Sequence, residues 1–534
     1  MCVFLRLFGE RQTGSVADNG GVRIAELIAT LSFAADLGIG QPLEHCLRHT
    51  VMGLRLADLA GAPQEDREAT YYLGMLVNSY CHADASEQAY WYGDDISFKG
   101  DGFDVMTLSA PQMATTLLRH ITSHGTAKER AGRVATLPTF FTRDVVTWLL
   151  THTNLSSAFA ERIGLGDDVV ASLRLAYEQW DGKGPRHVKG EDIALPARLI
   201  SLCTSMEVIS RTRGPETSKK AARRYSGKIY DPGLVDLWEA HAGDILDGLD
   251  EAATWDQVMA AEPRLERRVS GAELDDVLEA MADLVDLKSP FLAGHSRGVA
   301  NLGAEAARLA GLSDVECSTI RRAGFLHDLG RLGVSNSIWE KPGPLTDIER
   351  ERAHLHPYLT DKMLMRIPAL SASREVAVRH HERLDGSGYP RGLSAASLTP
   401  SDRILAAADV YHAMTEPRPY RPALAAGVAA KSLQKEVNAG RLDGDAVSAV
   451  LRASGHRAPA RREGPSGLTV REVEVLQLLA RGLANKEIAR RLGVTPKTVS
   501  NHVEHIYTKI NVGSRAAATL FATQHGLVGS YSAQ

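Results

Sequence analysis

At 534 residues the chain exceeds what one hydrophobic core organises, and length alone predicts about three domains. A content of 44% hydrophobic and 24% charged residues is that of a globular protein, and the net charge of −4 excludes a general attraction to nucleic acid or anionic membrane while leaving room for a local basic segment. Five widely spaced cysteines (Cys2, Cys46, Cys81, Cys203, Cys317) form no CxxC pair, which argues against a disulfide framework or zinc ribbon and for a reducing, cytoplasmic location.

The first residues, MCVFLRLFGERQ, break at Gly9-Glu10-Arg11 and are too short for a signal peptide. No apolar run approaches the ~20 residues that span a bilayer, so no membrane partner is expected. From there helical periodicity dominates and β-branched alternation is scarce, which predicts an all-α fold. Two breaks punctuate it: Glu262-Pro263 to Ser270-Gly271, and HRAPARREGPSG at 456–467. They divide the chain into domains 20–260 and 271–455, a linker 456–467 and a domain 468–530.

The first two domains read as copies of one helical unit. EHCLRHTVMGLRLADLAGA (44–62) aligns without a gap beside GHSRGVANLGAEAARLAGL (294–312), pairing His45 with His295. YEQWDGKG (177–184) aligns with HERLDGSG (381–388), and PARLISLCTSMEVI (196–209) with SDRILAAADVYHAM (401–414). The first copy carries an insertion between residues 79 and 150.

The second copy gathers potential ligands: His295, His327-Asp328, His356, His380-His381 and Asp409. Five imidazoles and two carboxylates suit iron, manganese or a similar borderline divalent ion, and suit neither all-oxygen calcium nor thiolate-bound zinc. Adjacent residues on a helix point about 100° apart. One of the twin histidines of RHHERLDGSGYP (379–390) therefore cannot easily replace the other, and a pair of neighbouring metal ions is one way to employ both.

HDLGRLGV, KPGPLT, HP, HHERLDGSGYP and ADVYHAMTEPRPYR follow in order and spacing the pattern of the HD-GYP phosphohydrolases, which residues 290–425 resemble. The resemblance implies an enzyme that hydrolyses cyclic di-GMP or a related cyclic dinucleotide at two metal ions, iron or manganese. It implies that Asp328 bridges the ions, that His295, His327 and Asp409 complete one, and that His356, His380 and His381 complete the other. Such a pair clamps a phosphodiester without a protein nucleophile. Catalytic roles fall to Asp328 and Arg331, and substrate binding to Arg331, Gly388, Tyr389 and Pro390, with Gly388 letting backbone approach the nucleotide. Arg331 stands where the family usually has Lys; it keeps the charge in a different shape. Phe291 replaces the Glu of three-metal members, which points to two metals, and Thr360 stands where the family commonly has Gly. In the first copy the HD pair becomes Val77-Asn78, the twin histidines Ala176-Tyr177 and the last Asp Thr204. That copy is expected to be degenerate, kept for pairing, sensing or structure.

Residues 468–530 resemble the LuxR/NarL-type helix-turn-helix. Thr469 and Glu472 form a capping box, Gly482 ends the first helix, Asn485 to Leu492 make the second, and Thr495-Pro496 start the third. Val499, Val503, Ile506 and Ile510 line the buried face of the third helix; Lys497, Thr498, Ser500, Asn501 and Glu504 face outward as the DNA-contacting set. Eight Lys/Arg against four Glu after residue 467 give a local charge of +4. Such domains bind double-stranded DNA as homodimers, here through about Arg515 to Gln524. The parts combine into a bacterial transcription regulator with a phosphohydrolase domain. The alternative is a regulator that binds the nucleotide and cleaves it slowly or not at all.

Overall fold

The computed structural model describes residues 21–104, 108, 110–249, 254–263, 267–456, 465–525 and 527. The N-terminal stretch MCVFLRLFGERQ, Cys2 and most of the expected linker lie outside the described residues. The chain parts into two compact units, residues 1–454 and 455–534. Among the described residues no helix is long and apolar enough to cross a membrane.

The larger unit repeats one succession of helices. Ile24–Gly38, His45–Leu59, Gln64–Leu76, Leu195–Arg213, Pro215–Tyr225 and Pro232–Leu246 run in the order taken again by Gly271–Asp286, His295–Ala310, Asp314–Leu326, Pro400–Thr415, Ala426–Asn438 and Gly444–Ala453. The two copies begin in register: Val22–Arg23 pairs antiparallel with Arg268–Val269. Backbone geometry survives sequence change at the entry to the second helix of each copy. Gly294 takes a left-handed turn (φ 78) before His295, and Glu44 is held in the same turn (φ 79) before His45. Helix starts elsewhere are locally encoded, as in the reciprocal caps Ser313–Glu316, Thr346–Glu349 and Thr399–Asp402.

Both copies share one continuous core, with Leu47, Leu73 and Trp238 of the first and Leu278, Phe325 and Leu405 of the second all within it. The insertion supplies helices Ala85–Tyr92, Asp95–Asp104, Ala110–Ile121 and the first part of Ala127–Arg162. Helix Asp95–Asp104 makes a buried polar joint with the second copy. Asp95 Oδ1 accepts from Ser335 Oγ at 2.7 Å and from the Asn336 amide at 2.9 Å. Its other oxygen lies 3.7 Å from Nζ of Lys288, a lysine with no exposed side-chain surface. A charge so buried is tolerable only when paired. Glu340 adds hydrogen bonds from Ser86 (2.6 Å) and Ser289 (2.7 Å), again one from each copy.

The smaller unit has helices Val470–Ala480, Asn485–Leu492, Pro496–Lys509 and Arg515–Gln524 around Leu468, Val475, Leu476, Leu479, Ile488, Val499, Ile506 and Ala518. Thr469 and Glu472 close the capping box, and Lys509 Nζ reaches Glu472 Oε2 at 2.8 Å. Replacing Thr469 by Ala removes the cap and is expected to cost ~1 kcal/mol. In calorimetry of the full chain the transition of this unit should fall by roughly 4–8 °C while the larger unit melts unchanged.

Candidate functional site

Seven side chains from five separate stretches of the second copy converge in its interior. His295 opens helix His295–Ala310, His327 and Asp328 follow helix Asp314–Leu326, and His356 opens helix His356–Leu364. His380 and His381 lie in the turn beyond helix Ser371–Ala377, not on the helix itself, and Asp409 comes from helix Pro400–Thr415.

Asp328 stands at the centre and divides its two oxygens. Oδ1 faces His356 Nε2 (3.5 Å) and His380 Nε2 (3.8 Å). Oδ2 faces His327 Nε2 (3.4 Å), His295 Nε2 (3.8 Å) and Arg331 Nε (3.2 Å). Asp409 Oδ1 joins the second side, 3.3 Å from His295 Nε2 and 3.9 Å from His327 Nε2. His381 completes the first side, its ligand nitrogen grouped with those of His356 and His380.

The imidazoles are oriented by the backbone. Nδ1 of His327, His356 and His380 each contacts the carbonyl three residues back, of Gly324 (2.8 Å), Ala353 (2.7 Å) and Ala377 (2.6 Å). A carbonyl only accepts, so each ring carries its proton on Nδ1 and turns an unprotonated Nε2 inward. Burial keeps His356, His380 and His381 neutral: it pushes His356 down to about 4 and His380 to about 3, and lowers His381 strongly. Two such lone pairs, on His356 Nε2 and His380 Nε2, meet at 3.2 Å, and His327 Nε2 has no hydrogen-bond partner among the described residues. Facing lone pairs repel unless a cation lies between them. Burial opposes charge on Asp328, yet Arg331 and the surrounding histidines hold its carboxyl well below the usual range. The donor set thus fits divalent cations on both sides of Asp328: neutral imidazoles of His356, His380 and His381 on one, and on the other the ionised Asp328 with Asp409, His327 and His295, of which His295 gives up a proton when an ion binds.

Glu416 and His412 join the cluster unassigned by the sequence reading. His295 Nδ1 meets Glu416 Oε2 at 2.8 Å, and His412 Nδ1 lies 3.1 Å from Glu416 Oε1. Burial works against a charged His295, but Asp409 and Glu416 hold it up at about 9. Spacing could have found both residues: they follow Asp409 by three and seven positions, one helical face. Gly298 makes room for this arrangement, since a Cβ there would lie 1.9 Å from His412 Nε2.

A cavity of about 540 Å³ lies beside the cluster, lined by Arg331, Lys341 and Arg418 together with Phe291, Trp339 and Tyr420. The Arg331 guanidinium sits over the Trp339 ring, 4.4 Å from its centroid. Tyr389 stacks on His354 (3.8 Å between centroids) and on His381 (4.6 Å), so it buttresses a cluster histidine. Pro390 is exposed. Gly388 is needed by the chain itself: a Cβ there would come within 2.5 Å of His381 O, Glu382 Cα and Arg383 N.

At the matching places in the first copy stand Val77-Asn78, Ala176-Tyr177 and Thr204, and they wall a separate cavity with His152. His45 Nδ1 is taken by Glu207 at 2.6 Å. In the smaller unit Lys497, Ser500, Asn501 and Glu504 are exposed on helix Pro496–Lys509 and Thr498 is half-buried, with its hydroxyl 2.8 Å from that of Thr495.

Comparison with known proteins follows the same division. The HD domain family model matches residues 279–446, and that of bacterial regulatory proteins of the luxR family matches residues 466–522. The chain is 29% identical over 415 residues to 3'3'-cGAMP-specific phosphodiesterase 3 of Vibrio cholerae, covering 77% of this chain and 90% of that protein. It is 38% identical over 150 residues to a cyclic di-GMP phosphodiesterase of Thermotoga maritima, covering 28% of this chain and 41% of that one. The crystal structure of a cyclic GMP-AMP specific phosphodiesterase of Vibrio cholerae shares the fold, with a TM-score of 0.55 at 24% identity over 82% of this chain and 99% of that one.

Proposed function

We propose that this chain, whose residues 279–446 match the HD domain family and 466–522 the luxR family of regulatory proteins, is an HD-GYP phosphodiesterase that cleaves a cyclic dinucleotide at a two-metal centre and couples that ligand to DNA binding. The observation that carries the reading is the division of Asp328, one oxygen toward His356 and His380 and the other toward His295 and His327. His295, His327 and Asp409 would hold one ion and His356, His380 and His381 the other, with iron or manganese favoured by the imidazole-rich set. Bound there, a divalent pair supplies activated water and neutralises charge at a phosphodiester.

The chain's own residues do the rest. The Nδ1 contacts to carbonyls keep Nε2 unprotonated and aimed inward. Arg331, beside Asp328, and Arg418 and Lys341 across the cavity offer three cations to a ligand with two phosphates. Phe291, Trp339 and Tyr420 offer flat apolar faces for bases.

Purified chain with Mn²⁺ or Fe²⁺ should convert cyclic di-GMP or 3'3'-cGAMP to a linear dinucleotide. Tight binding without linear product would make the protein a sensor instead, and neither binding nor product would overturn the reading.

The helix Pro496–Lys509 would enter the major groove with Lys497, Thr498, Ser500, Asn501 and Glu504 toward the DNA. A homodimer through helix Arg515–Gln524 is supported by Leu520, an apolar side chain left 58% exposed on it. Lys497→Ala should weaken binding to all sequences alike and reduce the slope of log K against log salt by ~1, read by fluorescence anisotropy at several salt concentrations.

A further inference from the structure

The cavity of the first copy holds about 430 Å³ where the second copy has its ligand cluster, and the functions above give it no role. Val77, Leu149, Ala176 and Ile200 make its wall largely apolar. Polar groups are set into that wall, among them Cys81, His152, Lys99 and Glu178. Cys81, half-buried, follows Asn78 by three residues as Arg331 follows Asp328, so a thiol has taken the place of the cation. His152, matched to His356, is 5% exposed, and neither of its ring nitrogens has a hydrogen-bond partner among the described residues. Its Nε2 lies 3.3 Å from Asp84 Oδ1, and Asp84 is fixed in turn by Gln88 Nε2 at 2.9 Å. The Tyr177 hydroxyl is 3.5 Å from Cys81 Sγ. Thiol and imidazole thus line one largely apolar cavity roomy enough for a small organic molecule, with the Asp84 carboxylate against the imidazole.

We propose that Cys81, His152 and Asp84 form a nucleophilic thiol site that captures an apolar electrophile of the α,β-unsaturated carbonyl class bound in this cavity. The Cys81 sulfur, as thiolate, forms a bond to the β-carbon. The π pair of the carbon–carbon double bond shifts to give the enolate, and the His152 imidazolium delivers its proton to the α-carbon. A thioether and a neutral imidazole result, and no oxidant is consumed. Asp84 acts as a positioning residue that orients the imidazole.

The electrostatics support this assignment. Burial opposes ionisation of Cys81, but the adjacent His152 outweighs it and draws the thiol below its ordinary range. Burial likewise opposes charge on His152, yet Cys81 and Asp84 lift it to about 9. The other titratable groups facing Cys81 are Tyr177 and Lys99, with Cys46 behind Asn78. Cys46 and Cys203 are buried, and burial pushes both thiols up, so they lack this activation.

The test is labelling of the full chain with N-ethylmaleimide, an α,β-unsaturated imide, with adducts located by peptide mass mapping. At about pH 6.5 Cys81 should react faster than Cys317, because the larger thiolate fraction outweighs the lower intrinsic nucleophilicity that accompanies it. Its rate should rise with pH at lower pH than that of Cys317 does. His152→Gln should slow Cys81 about 10-fold and restore a rate that climbs toward the ordinary thiol pKa of ~8.5; Asp84→Asn should slow it less. Labelling of Cys81 no faster than Cys317, or a wild-type rate whose rise with pH coincides with that of Cys317, would overturn the proposal whether or not the variants fold. An unchanged rate in a His152→Gln chain that melts like wild type would do the same.

Discussion

Asp328→Ala should abolish metal retention on both sides of the centre at once and lower phosphodiesterase turnover by more than about 100-fold, since loss of merely an outer partner already costs 10–100-fold. The reason is geometric. His356 and His380 lie nearest Oδ1 of Asp328 and His327 and His295 nearest Oδ2, so Asp328 serves both sets. His381→Ala should weaken only the side it shares with His356 and His380. The fold should persist in Asp328→Ala, because His327, His356 and His380 keep their carbonyl partners without it. Elemental analysis, a melting curve and a turnover assay on the same preparation separate these effects. Metal content equal to wild type in Asp328→Ala would count against the bridging role.

Gly330→Ala should be the most destabilising single methyl in the second copy. A Cβ there would lie 2.0 Å from His356 O and 2.8 Å from Thr360 N, backbone atoms of the helix that carries His356. Neither can yield without moving that helix, so the cost is expected at ~3 kcal/mol or more, beyond ordinary overpacking. The same contact is tied by hydrogen bonds: Gly330 N donates to Thr360 Oγ1 at 2.9 Å, and Thr360 Oγ1 donates to His327 O at 3.2 Å. Thr360 therefore locks the HD loop to the helix of His356. Gly343→Ala is the control, since nothing lies within 4 Å of a Cβ there; it should change stability by less than ~0.5 kcal/mol. Chemical denaturation of the two variants reads the difference.

The parts of the molecule legible in the sequence are those encoded locally. The capping box of Thr469 and Glu472 and the Thr495-Pro496 start each depend on residues within one turn, and the helices begin there. The inward histidines were legible through their pattern, and three of them, His327, His356 and His380, are each oriented by a carbonyl three residues back. What stayed hidden depends on partners far apart in the chain. Asp95 is buried against Lys288 and Ser335, and no local signal announces that an inserted helix will hold a lysine of the other copy. The shared core is hidden for the same reason, since a break such as Glu262 to Gly271 reads alike whether the flanking copies stand apart or pack together. Gly388 shows a subtler limit. A glycine beside a presumed ligand suggests close approach of that ligand, but here the missing side chain makes room for residues 381–383 of the same turn.

The most direct test is metal stoichiometry with a linked assay. Chain prepared without oxygen and titrated with Fe²⁺ or Mn²⁺ should bind two ions, and release of linear dinucleotide should reach its maximum at the second equivalent. A chain that binds one ion or none, or that cleaves a cyclic dinucleotide undiminished after chelation, would contradict a centre divided across the two oxygens of Asp328.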